Sequence, residues 1–266
     1  MALAITTDAA RTAALADALV ATDPVAYTVF GSIAEAVRGP DADPWAAHPV
    51  DEPTVLAARS QEQLGISLSA GWQVLDDLVD ALRTLRPAGL GGPPETVMSV
   101  AAALGRPVTR RMDERLFRLD DLTAPTPRDG TPRLATSTDL PWLVEWYRAF
   151  AVEAFGTEPP GIAQLIERRL PRSRCWIWTD ALGAPVSFAV AHQPVAGVAR
   201  IGPVYTPPSA RGRGYGSAAT AAASRDILDA GAVPCLYTDL ANPTSNKIYR
   251  AIGYRAVLDR TSLRFD

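Results

Sequence analysis

The chain has 266 residues, more than one compact domain usually holds, so two domains of roughly 130 residues are expected, each able to build its own core. With 47% hydrophobic and 21% charged residues it is composed like a globular protein, which excludes disorder. The 26 basic and 29 acidic side chains nearly cancel, leaving a net charge of -3 and no broad positive field for nucleic acid or an anionic membrane.

Positive charge is carried almost wholly by arginine, with Lys247 the only lysine, and alanine is abundant; this bias resembles a high-GC bacterial source. Cys175 and Cys235 cannot make a multi-ligand metal cluster and are expected to be buried thiols, so no metal is predicted. The opening MALAITTDAARTAALADALV lacks a basic n-region and is interrupted by Asp8, Arg11 and Asp17, unlike a secretory signal. No apolar run reaches the length of a membrane span, so a cytoplasmic protein is expected.

In the first half, Asp8 to Leu19 is alanine-rich and predicts a helix, while Val25 to Ile33 (VAYTVFGSI) predicts a strand from its β-branched and aromatic content. From Trp72, the positions Leu75, Leu78, Val79, Leu82 and Leu85 recur at helical spacing until Pro87 and GLGGPP end the helix. Pro94 and Glu95 open another helix carrying Val97, Val100 and Leu104, and Arg111 to Leu119 alternates like a strand. This half is mixed α and β, with no glycine loop, metal cluster or catalytic triad. The segment LTAPTPRDGTP, rich in proline, marks a linker, which divides the chain into 1–122, a linker at 123–132, and 133–266.

The second half predicts a short strand at Arg133 to Ala135, then a helix opened by Asp139-Leu140-Pro141 with Trp142, Leu143, Trp146 and Phe150 on one face. A helix at Gly161 to Leu170 follows, then strands at Ser173 to Thr179, Val186 to His192 and Val198 to Thr206. The order closes with helix Gly216 to Ala230, strand Cys235 to Leu240, helix Pro243 to Ile252 and a strand from Tyr254, an α/β arrangement.

The chemistry is concentrated in IGPVYTPPSARGRGYGSAATAAASRDIL. Pro207-Pro208 removes two N–H groups, so the strand is expected to part from a neighbour near this point and leave backbone groups for an amide-containing ligand. Gly212, Gly214 and Gly216 alternate with Arg213 and Tyr215 and lead into a helix, where backbone N–H groups form a positive concavity that Arg211 and Arg213 reinforce. That describes a diphosphate site, whereas neither GxGxxG nor a P-loop is present. Downstream, Asn242 suits a helix N-cap, Pro243 the first helical position and Gly253 a left-handed end. At roughly 100° per residue, Asn242, Asn246 and Tyr249 share one face, expected to be polar, while Ile248, Ala251 and Ile252 are expected to pack. As a cap, Asn242 needs no ligand, and a core tyrosine with its hydroxyl at the surface is the alternative reading of Tyr249.

Arg211 to Gly216 resembles the Q/R-x-x-G-x-G/A signature of the GNAT acetyltransferase superfamily, and DLANPTSNKIYRAIGY, from Asp239 to Tyr254, is similar to the segment that completes its cofactor site. The resemblance covers about Thr131 to Asp266. It implies the GNAT acyl-CoA N-acyltransferase fold, a mixed sheet with splayed strands flanked by helices; the preceding mixed α/β half has the size and mixed content of a decayed second GNAT-like domain. The activity it implies is acetyl transfer from acetyl-CoA to a primary amine, with a small-molecule amine or a peptide as acceptor and a homodimer as a candidate assembly. Val204, Tyr205 and Thr206 would hold the pantetheine arm, Arg211 to Ser217 the diphosphate, and Asn242, Asn246 and Tyr249 the rest of the cofactor; Tyr249 would also donate to the departing CoA sulfur.

Direct transfer needs no enzyme nucleophile, only positioning, a neutral nitrogen and help for the thiolate. Among Glu145, Glu153, Glu158, Asp239 and His192, Glu153 is the preferred base, with a water relay as an alternative. Two other functions stay open: a CoA-binding regulatory protein without transfer, and a scaffold whose glycine turn binds nothing.

Overall fold

The computed structural model describes residues 2–51, 54–59, 63–67, 75–125, 129–158, 161–170 and 174–266. In chain order the first elements are β1 (Leu3–Thr6), α1 (Ala9–Thr22), α2 (Thr28–Ala36), β2 (Trp45–Pro49), β3 (Ala57–Arg59), β4 (Gln63–Ile66), α3 (Leu75–Leu85), β5 (Gly89–Gly92), α4 (Pro94–Leu104) and β6 (Val108–Leu119). They are followed by β7 (Thr131–Leu134), α5 (Leu140–Phe155), α6 (Ile162–Arg169), β8 (Arg174–Thr179), β9 (Pro185–Ala191), β10 (Val198–Tyr205), α7 (Tyr215–Asp229), β11 (Val233–Asp239), α8 (Pro243–Ala251) and β12 (Tyr254–Phe265). Two compact units result, interleaved in sequence: one takes Met1–Leu116, Thr238–Asn242 and Ala256–Asp266, the other Phe117–Tyr237 and Pro243–Arg255.

In the first unit, Asp8 caps α1 by accepting the Arg11 N–H at 2.7 Å, and Leu15, Ala16, Leu19 and Val20 face the core. The strand expected over Val25 to Ile33 is not found; Thr28–Ala36 is a helix. Asp23 accepts the N–H groups of Val25 and Ala26, turning the chain, and Phe30, Ile33, Ala34 and Val37 then meet the core at helical spacing. Packing of this stripe overrides the β-branched content that favoured a strand. Helix α3 carries the expected Leu78, Val79 and Leu82 into the core, each burial worth about 2 kcal/mol, while Trp72 lies outside the described residues.

The glycines after Pro87 do more than end α3. Gly89–Gly92 is a strand in which a Cβ at Gly89 would lie 2.5 Å from the Leu263 carbonyl oxygen and one at Gly92 2.7 Å from that of Ile66, so backbone approaches replace side-chain packing. The strands run in the order β1-β2-β3-β4-β5-β12, and β4 pairs with β5 in parallel, with α3 between them in the chain as a crossover requires. The unit is mixed α/β, as expected, and its strand-helix-parallel strand-helix run, β4 to α4, is the same connection that carries the candidate site of the second unit.

The second unit holds the order β7-β8-β9-β10-β11, antiparallel except for the parallel β10–β11 pair. Alternation along β9 separates two cores. Phe188 and Val190 pack with Leu143 of α5, whereas Ala189 and Ala191 pack with Ala218, Ala219 and Ala223 of α7. Small residues on both sides of that second layer let the alanine-rich helix lie close to the sheet. Helix α5 starts after a reciprocal capping box in which Thr136 and Asp139 bond each other's backbone, and Arg133 grips Asp139 with two 2.7 Å bonds. Both cysteines are buried, and burial pushes the Cys175 thiol up to about 12.

Candidate acyl-CoA site

The site begins where β10 leaves β11. Their parallel pairing covers Val198↔Val233 to Arg200↔Cys235, yet β10 continues to Tyr205. On its other side the register with β9 shifts between Ile201 and Val204, across Gly202-Pro203. The parting was expected near Pro207-Pro208; it starts several residues earlier, because Pro203 already removes a donor and Gly202, at φ 152, accommodates the break. The backbone past Arg200 is thereby released from the β11 ladder, as a ligand with amide groups requires.

The chain then enters a short 3-10 turn at Pro208–Ala210 and the glycine loop. Gly212 and Gly214 have φ values of 74 and 83, the left-handed region, and a Cβ at either would touch nothing within 4 Å, so backbone conformation rather than space requires glycine there. Gly214 is the N-cap of α7 and provides no side-chain cap, which leaves the first-turn N–H groups of this 15-residue helix facing the loop. Gly216 serves differently: its Cβ would come within 3.1 Å of Thr206 Oγ1, so the first turn of α7 sits against the end of β10. Thr206 is itself held, its hydroxyl 2.9 Å from Ser187 Oγ, while Ser187 donates to the Tyr205 carbonyl.

Loop and strand side chains divide into two groups. Tyr215 turns inward, 2% exposed, and donates to Asp129 at 2.6 Å; this hydrogen bond and burial raise its phenol's pKa, with Arg213 acting oppositely. Its contribution to a ligand would come from its N–H, as would that of Ser217. Arg213 is exposed, whereas Val204 is partly buried in the α7-side core and Tyr205 lies in the α5-side core. Arg211 donates Nε–H to the Thr206 carbonyl at 2.9 Å, directs Nη2 to both Glu153 oxygens at 2.9 and 2.6 Å, and lies 5.7 Å from the Tyr205 ring centroid. The Tyr205 hydroxyl donates to the same carboxylate at 3.2 Å.

Helix α8 departs from the face expected of it. Asn246 and Tyr249 are buried at 9% exposure each and Ile252 is buried beside them, while Ala251, expected to pack, is exposed. The polar face and the packed face are one face, because Tyr249 is seated between Phe117 and Tyr254, with ring centroids 6.5 and 6.1 Å away. Burial pushes the Tyr249 phenol up to about 12. Asn242 precedes the helix in a turn closed by its N–H to the Asp239 carbonyl, and it groups with the first unit.

Each candidate base is engaged. Glu153 is paired with Arg211; Glu145 and Glu158 both accept from Arg148, at 2.6 and 2.9 Å. Asp239 accepts the Ala241 N–H at 2.7 Å. His192 Nε2 lies 2.7 Å from the Gly202 carbonyl, and since a carbonyl only accepts, this nitrogen carries the proton. What sequence reasoning missed was the Arg211–Glu153–Tyr205 cluster, since Glu153 and Arg211 are 58 positions apart and no local pattern joins them. The first unit also has a concavity of about 480 Å3 lined by three acids, Asp113 and Asp259, which are paired with Arg111 and Arg115, and Asp239. Among the described residues no group of three or more His, Cys, Asp or Glu is arranged to hold a metal, and no helix is long and apolar enough to cross a membrane.

With this geometry, comparison with known proteins places the fold. Residues 189–264 match the family model described as FR47-like protein, a span that includes the glycine loop and α8. No curated protein matches the chain. Among solved structures, a GCN5-related N-acetyltransferase from Sphaerobacter thermophilus is similar at 16% identity and TM-score 0.65, covering 98% of this chain and 95% of that one. A GNAT-family acetyltransferase from Colwellia psychrerythraea matches at 12% identity and TM-score 0.63 over 100% of both chains. A tandem GNAT protein from the clavulanic acid biosynthesis pathway matches at 13% identity and TM-score 0.63, over 99% of this chain and 98% of that one. The fold of the chain, over its whole length, is that of GNAT acetyltransferases, and the tandem relative fits its two-unit arrangement.

Proposed function

We propose that the protein is an acyl-CoA-dependent N-acyltransferase of the GNAT type, moving an acetyl group from acetyl-CoA to a primary amine by direct transfer. One observation carries this reading. Two left-handed glycines, Gly212 and Gly214, aim the uncapped N-terminus of α7 at the end of a strand that has just left its parallel neighbour. The helix end and Arg211 and Arg213 suit a diphosphate, and the released β10 backbone suits the amides of a pantetheine arm. The GNAT fold supports acyl transfer in general.

In this mechanism the protein holds the thioester, admits a neutral amine and stabilises charge on the departing sulfur. The nitrogen attacks the acyl carbon, the thiolate leaves, and the amine's surplus proton passes to a base or to the thiolate. Tyr249 would stabilise the thiolate by donating a hydrogen bond. With its phenol at about 12 against a thiol near ~8.5, handing the proton over completely would cost about 5 kcal/mol. The acceptor is a small amine or a peptide.

The test is calorimetric titration of the purified protein with acetyl-CoA, beside Gly214→Asp, followed by an amine screen. Saturable binding lost in the variant supports the reading, and no binding to the folded wild type refutes it. Binding without turnover on any amine would instead favour a CoA-binding regulatory protein.

A further inference from the structure

The Arg211 side chain is held at three points: Nε on the Thr206 carbonyl, Nη2 on both Glu153 oxygens, and the guanidinium carbon over the Tyr205 ring. Glu153 lies on α5 and reaches the loop across 58 positions of sequence. Its carboxylate also takes the Tyr205 hydroxyl, at the end of the strand that borders the splay. An anion therefore already stands on the arginine that the loop offers to an anionic ligand.

The pair is built to exchange. Both side chains are close to half exposed, at 47% and 46%. An exposed ion pair shifts an equilibrium by no more than about fivefold, whereas a guanidinium on a phosphate is a stronger, charge-assisted contact. We infer that Glu153 is a resident counter-ion of the loop, which the diphosphate of an acyl-CoA displaces from Arg211. The inference rests on the diphosphate reading of the loop. Displacement leaves the Glu153 carboxylate beside the Tyr205 hydroxyl with its cation withdrawn. Glu153 is thus a positioning residue in the empty site.

The experiment is calorimetry with CoA on the full-length wild type, Glu153→Gln, Arg211→Gln and the double variant. Glutamine keeps the size and an acceptor for Tyr205 while removing the charge. Removing the competitor should tighten CoA binding two- to fivefold in the wild-type background and leave it unchanged in the Arg211→Gln background. Unchanged or weaker binding in Glu153→Gln overturns the exchange. Equal tightening in both backgrounds also overturns it, since through-space repulsion between carboxylate and diphosphate would not need Arg211. A wild type that binds no CoA is a different failure, that of the loop reading itself, and removes the exchange with it. Matching melting temperatures show that each variant is folded.

Discussion

Tyr249→Phe separates the two roles that its position permits. The ring is seated between Phe117 and Tyr254, so phenylalanine keeps the packing and removes only the hydroxyl. Burial holds the phenol at about 12, roughly 3.5 units above a free thiol, which makes complete proton transfer to the thiolate uphill by about 5 kcal/mol. A hydrogen bond to developing charge costs no such transfer and is worth about 1.5–3 kcal/mol. Turnover of Tyr249→Phe should therefore fall by roughly 10- to 100-fold, with CoA affinity within about twofold of wild type. The assay is release of free CoA thiol with an amine found by the screen, beside calorimetry on the same preparations. An unchanged rate would exclude Tyr249 from the chemistry and leave it as core. A rate limb that follows phenol ionisation below about pH 11 would contradict the raised value.

Gly214→Ala and Gly214→Asp should both strain the loop at φ 83 by about 1–2 kcal/mol without a steric clash, but only the aspartate should also repel a diphosphate. CoA titrations giving equal affinity for the two variants would refute that placement. Asp139 is held at about 2 against 3.8, chiefly by Arg133, so the ionised carboxylate contributes about 2 kcal/mol above pH 3.8, a contribution lost as pH falls through about 2. Urea unfolding should show Asp139→Asn less stable than wild type by about that amount at pH 7, with roughly half the gap gone at pH 3; a gap independent of pH would contradict the assignment. Gly253→Ala should destabilise the second unit by more than about 2 kcal/mol, since φ is 103 and the new methyl would meet the Asp121 carbonyl oxygen at 2.3 Å. Unchanged thermal melting would rule that contact out.

The glycine loop, the caps and the alternating strands of the second half are local features, and the sequence by itself determined them. Arg211 to Gly216 is a turn-to-helix signal on its own residues, and the expected elements from Arg133 onward fall within a few positions of β7 to β12. Short-range backbone chemistry decides such elements, since a missing N–H at proline or a left-handed glycine acts within a few residues. The first half was less legible because its elements depend on partners. Thr28–Ala36 becomes a helix through contacts with the Leu15 and Ala58 layer, and Gly89–Gly92 becomes a strand because Ile66 and Leu263 approach its backbone. The grouping of 238–242 and 256–266 with the first unit has no local signature either. At the site, only the tertiary structure decided that Tyr249 and Asn246 lie on the buried face of α8 and that Glu153 stands on Arg211. Burial and ion pairing join residues far apart in the chain, and periodicity along one helix cannot say which of its faces another element will cover.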